Sequence, residues 1–399
     1  MSCRSSKGTA APQATGTTGP AASGTSQALT ASDVGITPTE ILIGNATPLT
    51  GPAASYAPVA DGLKAYFDYI NSQGGVNGRK IKLVVKDSAY DPSKALAVTK
   101  ELVEQDKVFA IVGTIGTPVN STTYDYLNEN KVPDMYLSTG AAKWNDPKGH
   151  PYVFGFLFGY PQESEVFWKY IQQNLAGKKI GVLYQNDDYG KDYEKAFKQL
   201  AGSAIIREES YETTSADISS QVTALKNAGA EVVVLFSIPK FTIQALKFIH
   251  DSGWKPTIVM NYVSADPSVV SGAGSVAIEG VISGTFTPLP SDTSDPKVKF
   301  FADTLAKYRP GVQPSTFAMW GFAEAQLMVE TLKRAGTNPT RASLIKAAEG
   351  IQDFTNLATL GPATMTPNDH APMHCERLIK YQNGAPQYAS DLLCAAVKQ

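Results

Sequence analysis

Three features of the 399-residue sequence predict two α/β units, each a parallel sheet covered by helices on both faces. Strand-like and helix-like patterns alternate from residue 40, the alternation runs through twice, and two helices open on a cap residue followed by proline. What repeats is the order of elements; the two runs share no appreciable sequence identity.

Residues 40–46 (EILIGNA) read as a strand, and Pro58–Ser72 as a helix with Leu63, Tyr66, Phe67 and Ile70 at helical spacing. Residues 80–88 form the next strand, and Asp91-Pro92 opens the helix after it. Residues 108–113 (VFAIVG) have the continuous apolar character of a buried parallel strand, Thr117-Pro118 repeats the cap signature, and 132–138 is a fourth strand. The second run has strands at 179–186, 204–211, 231–238 and 257–262. Its helices are expected at 189–200, at Asp217–Asn227 (capped from Ser215 or Asp217) and at Pro239–Asp251. A strand at 280–288 follows, then helices near 296–308, 316–335 and 340–349. A hairpin at 376–388 turns on Asn383-Gly384.

Net charge is −2 with no long basic run, which excludes nucleic acid as a natural partner. Residues 1–35 are mostly Gly, Ser, Thr, Ala and Pro and are expected to be a disordered tether. Cys3 at its head looks like the lipid-bearing residue of a bacterial lipoprotein, the alternative being a plain disordered tail. Cys375 and Cys394 flank the hairpin. A disulfide in an oxidising compartment is favoured over two free buried thiols.

Ligands of open α/β sheets bind beyond the carboxyl ends of the strands. The loops there carry Pro48 to Pro52 and Tyr56, then Gly116-Thr117-Pro118, then Ser138-Thr139-Gly140-Ala141-Ala142 and Trp144. The second run contributes Asp187, Asp188 and Tyr189, then Ile238 and Pro239, then Asn261 and Tyr262. Gly116-Thr117-Pro118 places backbone N–H groups and a hydroxyl at a helix N-terminus, a setting that favours an anion, but the sequence slightly favours the alternative that Thr117 simply caps its own helix. Ser138-Thr139-Gly140 lets a ligand approach the backbone or simply makes a tight turn. Tyr56, Trp144, Tyr189 and Tyr262 are candidate aromatic walls, each also suited to packing.

Taken together, IGNATPLTGPAASYAPVADGLKAYFDYINSQGGVNGRKIKLVVKDSAYDP, IVGTIGTP, LSTGAA, IGVLYQNDDYGKDY and LGPATM resemble the type I periplasmic binding proteins of the branched-chain amino acid (leucine/isoleucine/valine) transport family, over about residues 38–399. The resemblance implies two lobes joined by three hinge strands, with crossings near 154–160, 284–288 and 360–364. One lobe is then 36–156 with 285–361, the other 157–284 with 362–399. It implies an extracytoplasmic, monomeric protein that closes on a small-molecule ligand and delivers it to the membrane permease of an ABC transporter. Thr117 then donates to a ligand carboxylate, the backbone of Gly140 and Ala142 completes the clamp, Tyr189 covers the ligand and Tyr56 walls it. Two departures stand out. Ala142 lacks the hydroxyl often found at its position, and Tyr262 stands where the family's amino-acid binders carry an acid for the ligand ammonium. A ligand with a carboxylate, an apolar or aromatic body and no ammonium is therefore expected, a branched-chain or other amino acid being the alternative.

No enzymatic constellation emerges: GxSxG, GxGxxG after the first strand and GxxxxGK[ST] are absent, and no cofactor is expected. His370, His374 and Cys375 have metal-like spacing but lie in a Pro-flanked stretch, so no metal is expected. A sensor using the same fold remains the other class of function.

Overall fold

The computed structural model describes residues 1–2 and 28–397. Cys3 and most of the expected tether lie outside the described residues. Residues 28–35 belong to the folded body, which corrects the tether's boundary. The Arg79 guanidinium, which has no exposed surface, needs acceptors, and it takes the Thr30 and Thr37 carbonyls together with Asn338 Oδ1. Asn338 also donates to Ala28 O and accepts from Thr30 N–H.

The first run builds β1 (Glu40–Thr47), α1 (Pro58–Ser72), β2 (Lys80–Asp87), α2 (Pro92–Lys100) with a π turn at Glu101–Gln105, β3 (Ala110–Val112), α3 (Thr117–Glu129), β4 (Asp134–Leu137) and β5 (Val153–Gly155). These strands form one all-parallel sheet in the order β2-β1-β3-β4-β5. The second run builds α4 (Tyr160–Asn174), β6 (Ile180–Gln185), α5 (Asp188–Ala201), β7 (Ile205–Tyr211), α6 (Ser219–Asn227), β8 (Val232–Phe236), α7 (Pro239–Asp251), β9 (Thr257–Met260), α8 (Pro267–Ala273) and β10 (Ile282–Thr285). Three helices follow, α9 (Pro296–Tyr308), α10 (Thr316–Arg334) and α11 (Arg341–Glu349), then β11 (Cys375–Gln382), β12 (Ala385–Tyr388) and β13 (Leu393–Cys394). The second sheet runs β12-β11-β10-β9-β8-β6-β7, parallel except at the β11–β12 edge, where the hairpin turns on Asn383 and Gly384, both left-handed.

The fold is thus two α/β lobes, each built on its own largely parallel sheet. After β10 the chain returns to the first sheet, where α10 packs along α1. Gly62 and Gly321 let the two helices touch: a Cβ on either would sit 1.9 Å from a backbone oxygen of the other. The chain re-enters the second sheet only at Cys375, which is bonded to Cys394. Residues 363–373 pack against the first lobe, unlike the expectation that 362 onward belongs to the second. His370 stacks on Phe154 with centroids 3.8 Å apart and bonds Val153 O, and its backbone N–H donates to Asn145 Oδ1.

Asp91 caps α2 through Lys94 N–H as expected. The Asp266-Pro267 pair is the same signature and starts α8, which the sequence reading passed over. α6 begins at Ser219, because Asp217 accepts from Ser219 N–H and hydroxyl in a turn before the helix.

Candidate functional site

Between the lobes, where the carboxyl ends of both sheets face each other, lies a narrow cavity of about 20 Å³. From the first lobe it is lined by Tyr56, Tyr90, Ile115, Gly116, Thr117 and Ser138, with Trp320 from α10. Tyr189, Ile238 and Val263 come from the second lobe, and Leu157 and Tyr160 from the crossing between lobes. Among the described residues, no ionisable group except tyrosine lines it. Burial holds the phenols of Tyr56, Tyr90 and Tyr189 well above their usual pKa, so these rings face the cavity as neutral groups.

Thr117 does not cap α3. Gly116 is the N-cap, in a left-handed conformation (φ 102°) and without a side-chain cap, and Thr117 and Pro118 are the first two helical residues. The Thr117 hydroxyl is therefore available for other partners. It lies 2.7 Å from Thr139 Oγ1, which in turn is 3.2 Å from Tyr160 OH and accepts from Trp144 Nε1 at 3.2 Å. Ser138, one strand end away, is hydrogen-bonded to the buried Glu324 carboxyl. Asp87 secures the loop bearing Tyr90 by accepting from Thr50 Oγ1, Ala89 N–H and Lys94 Nζ. Burial opposes its ionisation, but these bonds outweigh burial and lower its pKa.

Several expected site residues serve other ends. Gly140 is small because the chain crosses there: a Cβ would meet Phe158 O at 2.3 Å and the Tyr262 hydroxyl at 2.7 Å. Tyr262 is a strut at this crossing, not a cavity wall. Its hydroxyl donates to Phe158 O at 2.6 Å, and its ring packs on Tyr160, Phe286 and Trp320. A carboxyl group does lie beside it: Glu163 accepts from Tyr262 N–H at 2.8 Å and from the Tyr193 hydroxyl. Thr139, Gly140, Ala141, Ala142 and Trp144 line a separate cleft of about 80 Å³, and Pro118 lines neither space.

Ala142 N–H is engaged across the cleft by Asp192 at 3.0 Å, and Lys143 Nζ reaches Asp188 at 2.7 Å, with Ser121 also donating to Asp188. Tyr56 OH donates to Val263 O, Thr316 Oγ1 to Ala265 O, and Gln185 Nε2 to Tyr90 OH. These bonds join first-lobe groups to second-lobe groups, so the structure is a closed cleft.

Sequence reasoning missed Tyr90, Tyr160 and Trp320. Tyr90 follows the second strand, in the one strand-end loop of the first run left unread. Ala89 and Tyr90 both adopt left-handed backbone (φ 51° and 58°), which turns the ring inward. The metal-like trio is dispersed: His374 contacts Thr364 O, Cys375 is in the disulfide, and no metal-ligating cluster occurs among the described residues.

A family model described as "Periplasmic binding protein" matches residues 40–386. The chain is similar to "Leu/Ile/Val-binding protein homolog 3" of Brucella melitensis, 29% identical over 77% of this chain and 83% of that protein. Among solved structures, a branched-chain amino acid ABC transporter protein from Thermus thermophilus with bound valine superposes with TM-score 0.81 at 19% identity, covering 90% of this chain and 97% of that one. A fatty acid ABC transporter substrate-binding protein from Thermomonospora curvata gives TM-score 0.79 at 23% identity, covering 91% and 94%.

Proposed function

The chain belongs to the periplasmic binding protein family, and we propose that it captures a small carboxylate with an apolar or aromatic body and no ammonium group, for an ABC permease. It is an extracytoplasmic solute-binding protein of the branched-chain amino acid transporter type, not an enzyme. The reading of the ligand rests on one observation, the lining of the interlobe cavity.

That lining offers neutral hydroxyls at Thr117 and Ser138, the positive end of α3, and a ring of Tyr and Trp side chains. Helix N-terminal N–H groups and hydroxyls suit a carboxylate. An ammonium group buried there would lack a lining carboxylate, a costly arrangement. The fatty acid label of the T. curvata protein is consistent with an acid lacking an ammonium, whereas the valine in the T. thermophilus structure favours an amino acid in the same cleft. Lobes of 28–156 with 285–374, and 157–284 with 375–397, moving as two bodies, a monomeric state and a lipid anchor at Cys3 complete the proposal.

Thermal-shift screening decides between the two ligand classes, because a ligand bound only by the folded state raises its stability. Benzoate, phenylacetate and short branched aliphatic acids are expected to raise Tm by about 5 °C at a hundredfold excess over Kd. Leucine, isoleucine and valine are expected to leave it unchanged. Stabilisation by the amino acids alone would sink the reading. Thr117→Val is expected to weaken the best acid about tenfold by calorimetry.

A further inference from the structure

Behind the cavity wall sits a carboxyl group that the binding reading leaves without a task. Glu324, on α10, has no exposed surface. Its Oε1 is hydrogen-bonded to the hydroxyl of Ser138, which lines the cavity. Its Oε2 is buried without a hydrogen-bond partner and lies over Gly113, where a Cβ would sit 2.5 Å from it, and Leu63 of α1 covers the same spot.

The titratable groups on the elements around Glu324 are engaged elsewhere. Tyr136 of β4 bonds Thr331, and Asp134 lies at the opposite end of β4 from Ser138. On α1, Asp61 is influenced by Arg309 and Lys64, Asp68 pairs with Arg309, and Tyr66 and Tyr69 pack on Phe300. Glu330 of α10 pairs with Arg334, and Glu349 of α11 with His370. Among the described residues no cation offsets the cost of ionising Glu324: burial pushes its pKa up to about 8, opposed by the Ser138 bond.

The protonation state of Glu324 fixes what Ser138 offers the cavity. Ionised, Glu324 can only accept, so the Ser138 proton points away from the cavity and a lone pair faces the ligand. Protonated, Glu324 donates to Ser138 Oγ, and the Ser138 proton is free to point at the ligand. A carboxylate, itself only an acceptor, is served by the second arrangement alone. We propose that Glu324 is a positioning residue that couples capture of an anionic ligand to the uptake of one proton, so that the cleft binds carboxylates more weakly as pH rises. Where the free protein has Glu324 ionised, the proton comes from solvent, resides on Glu324 while the ligand is bound, and returns to solvent on release. The proposal rests on the carboxylate reading of the cavity.

The test is calorimetric titration of the best-binding acid of the screened panel between pH 6.5 and 9.5, in buffers of different ionisation enthalpy. These acids stay ionised throughout that range, so a pH slope reports the protein. The wild type is expected to lose about tenfold or more in affinity across the range and to take up protons on binding at its alkaline end. The slope is expected to vanish in Glu324→Gln, whose amide donates to Ser138 at every pH. Ser138→Ala, which removes the group being oriented, is expected to flatten the profile too and carries the test if the Gln variant does not fold. A flat profile in the wild type, or an undiminished slope in the variants, overturns the coupling alone. Failure of the whole panel to bind at any pH overturns the ligand reading, and the coupling with it.

Discussion

Gly116 carries two demands at once. Its backbone is left-handed, and a Cβ would lie 2.4 Å from the Tyr90 ring. An alanine there is strained in φ and displaces a cavity wall. Gly116→Ala is expected to weaken ligand binding at least tenfold and to cost about 1–2 kcal/mol of stability, read by calorimetry and by the urea midpoint. Normal affinity in that variant would mean that Tyr90 is no part of the site. The same residue explains why Thr117 was hard to read. Thr before Pro at a helix start is as good a cap as a ligand group, and only the backbone at Gly116 assigns the cap one residue earlier. The Ser138–Glu324 pair was beyond reach for a different reason: its members are 186 residues apart, and neither has a local pattern that calls for the other.

The helices that face each other across the cleft, α3 and α5, supply a clasp. Asp188 on α5 meets Lys143 and Ser121, and Asp192 one turn later takes Ala142 N–H. Lys143 holds the Asp188 pKa below its usual range, whereas burial raises that of Asp192 despite the Ala142 bond. Asp188 is half exposed, so each such contact contributes only about 0.2–1 kcal/mol. Losing about 1 kcal/mol still changes the ratio of open to closed molecules about fivefold. The Asp188→Asn, Asp192→Asn double variant is expected to increase the radius of gyration of the ligand-free protein, and high salt to do so partially in the wild type. An unchanged scattering curve would show that the clasp does not hold the cleft. At this scale the sequence was most legible. α1 and α7 span the residues their periodicity predicts, since an apolar stripe with a clear start reports itself locally. α8 is short and the crossing at 363–373 has no regular pattern, so their places are set by partners distant in sequence: Phe154 and Asn145 for the crossing, Thr316 and Phe317 around Asp266 for α8.

Across the whole molecule, buried carboxyls recur. Asp134, Glu163 and Glu324 are each pushed up to about 8 by burial, and Glu376, facing Glu163 across Gly284, is raised by burial and by Glu163. A carboxyl whose folded-state pKa exceeds its unfolded value holds its proton more tightly when folded. Its contribution is therefore complete below about pH 4.3 and declines as pH rises toward 8. His150 acts in the same sense: burial lowers its pKa, but Asp125 and Asp146 outweigh burial and raise it. The ligand-free protein is expected to lose about 5 °C or more in Tm between pH 5 and 8.5, and a Tm that rises over that interval would contradict these burial effects. The path of the chain through the two sheets also bears on when the molecule can fold. The first lobe needs α10, more than 150 residues after its last strand β5, to cover α1 and seat Glu324 behind Ser138. The second needs β11, ninety residues after β10, to complete its edge. A chain emerging from its N-terminus thus cannot finish either lobe until nearly all of it is available, and the two lobes mature together at the end of synthesis rather than in succession.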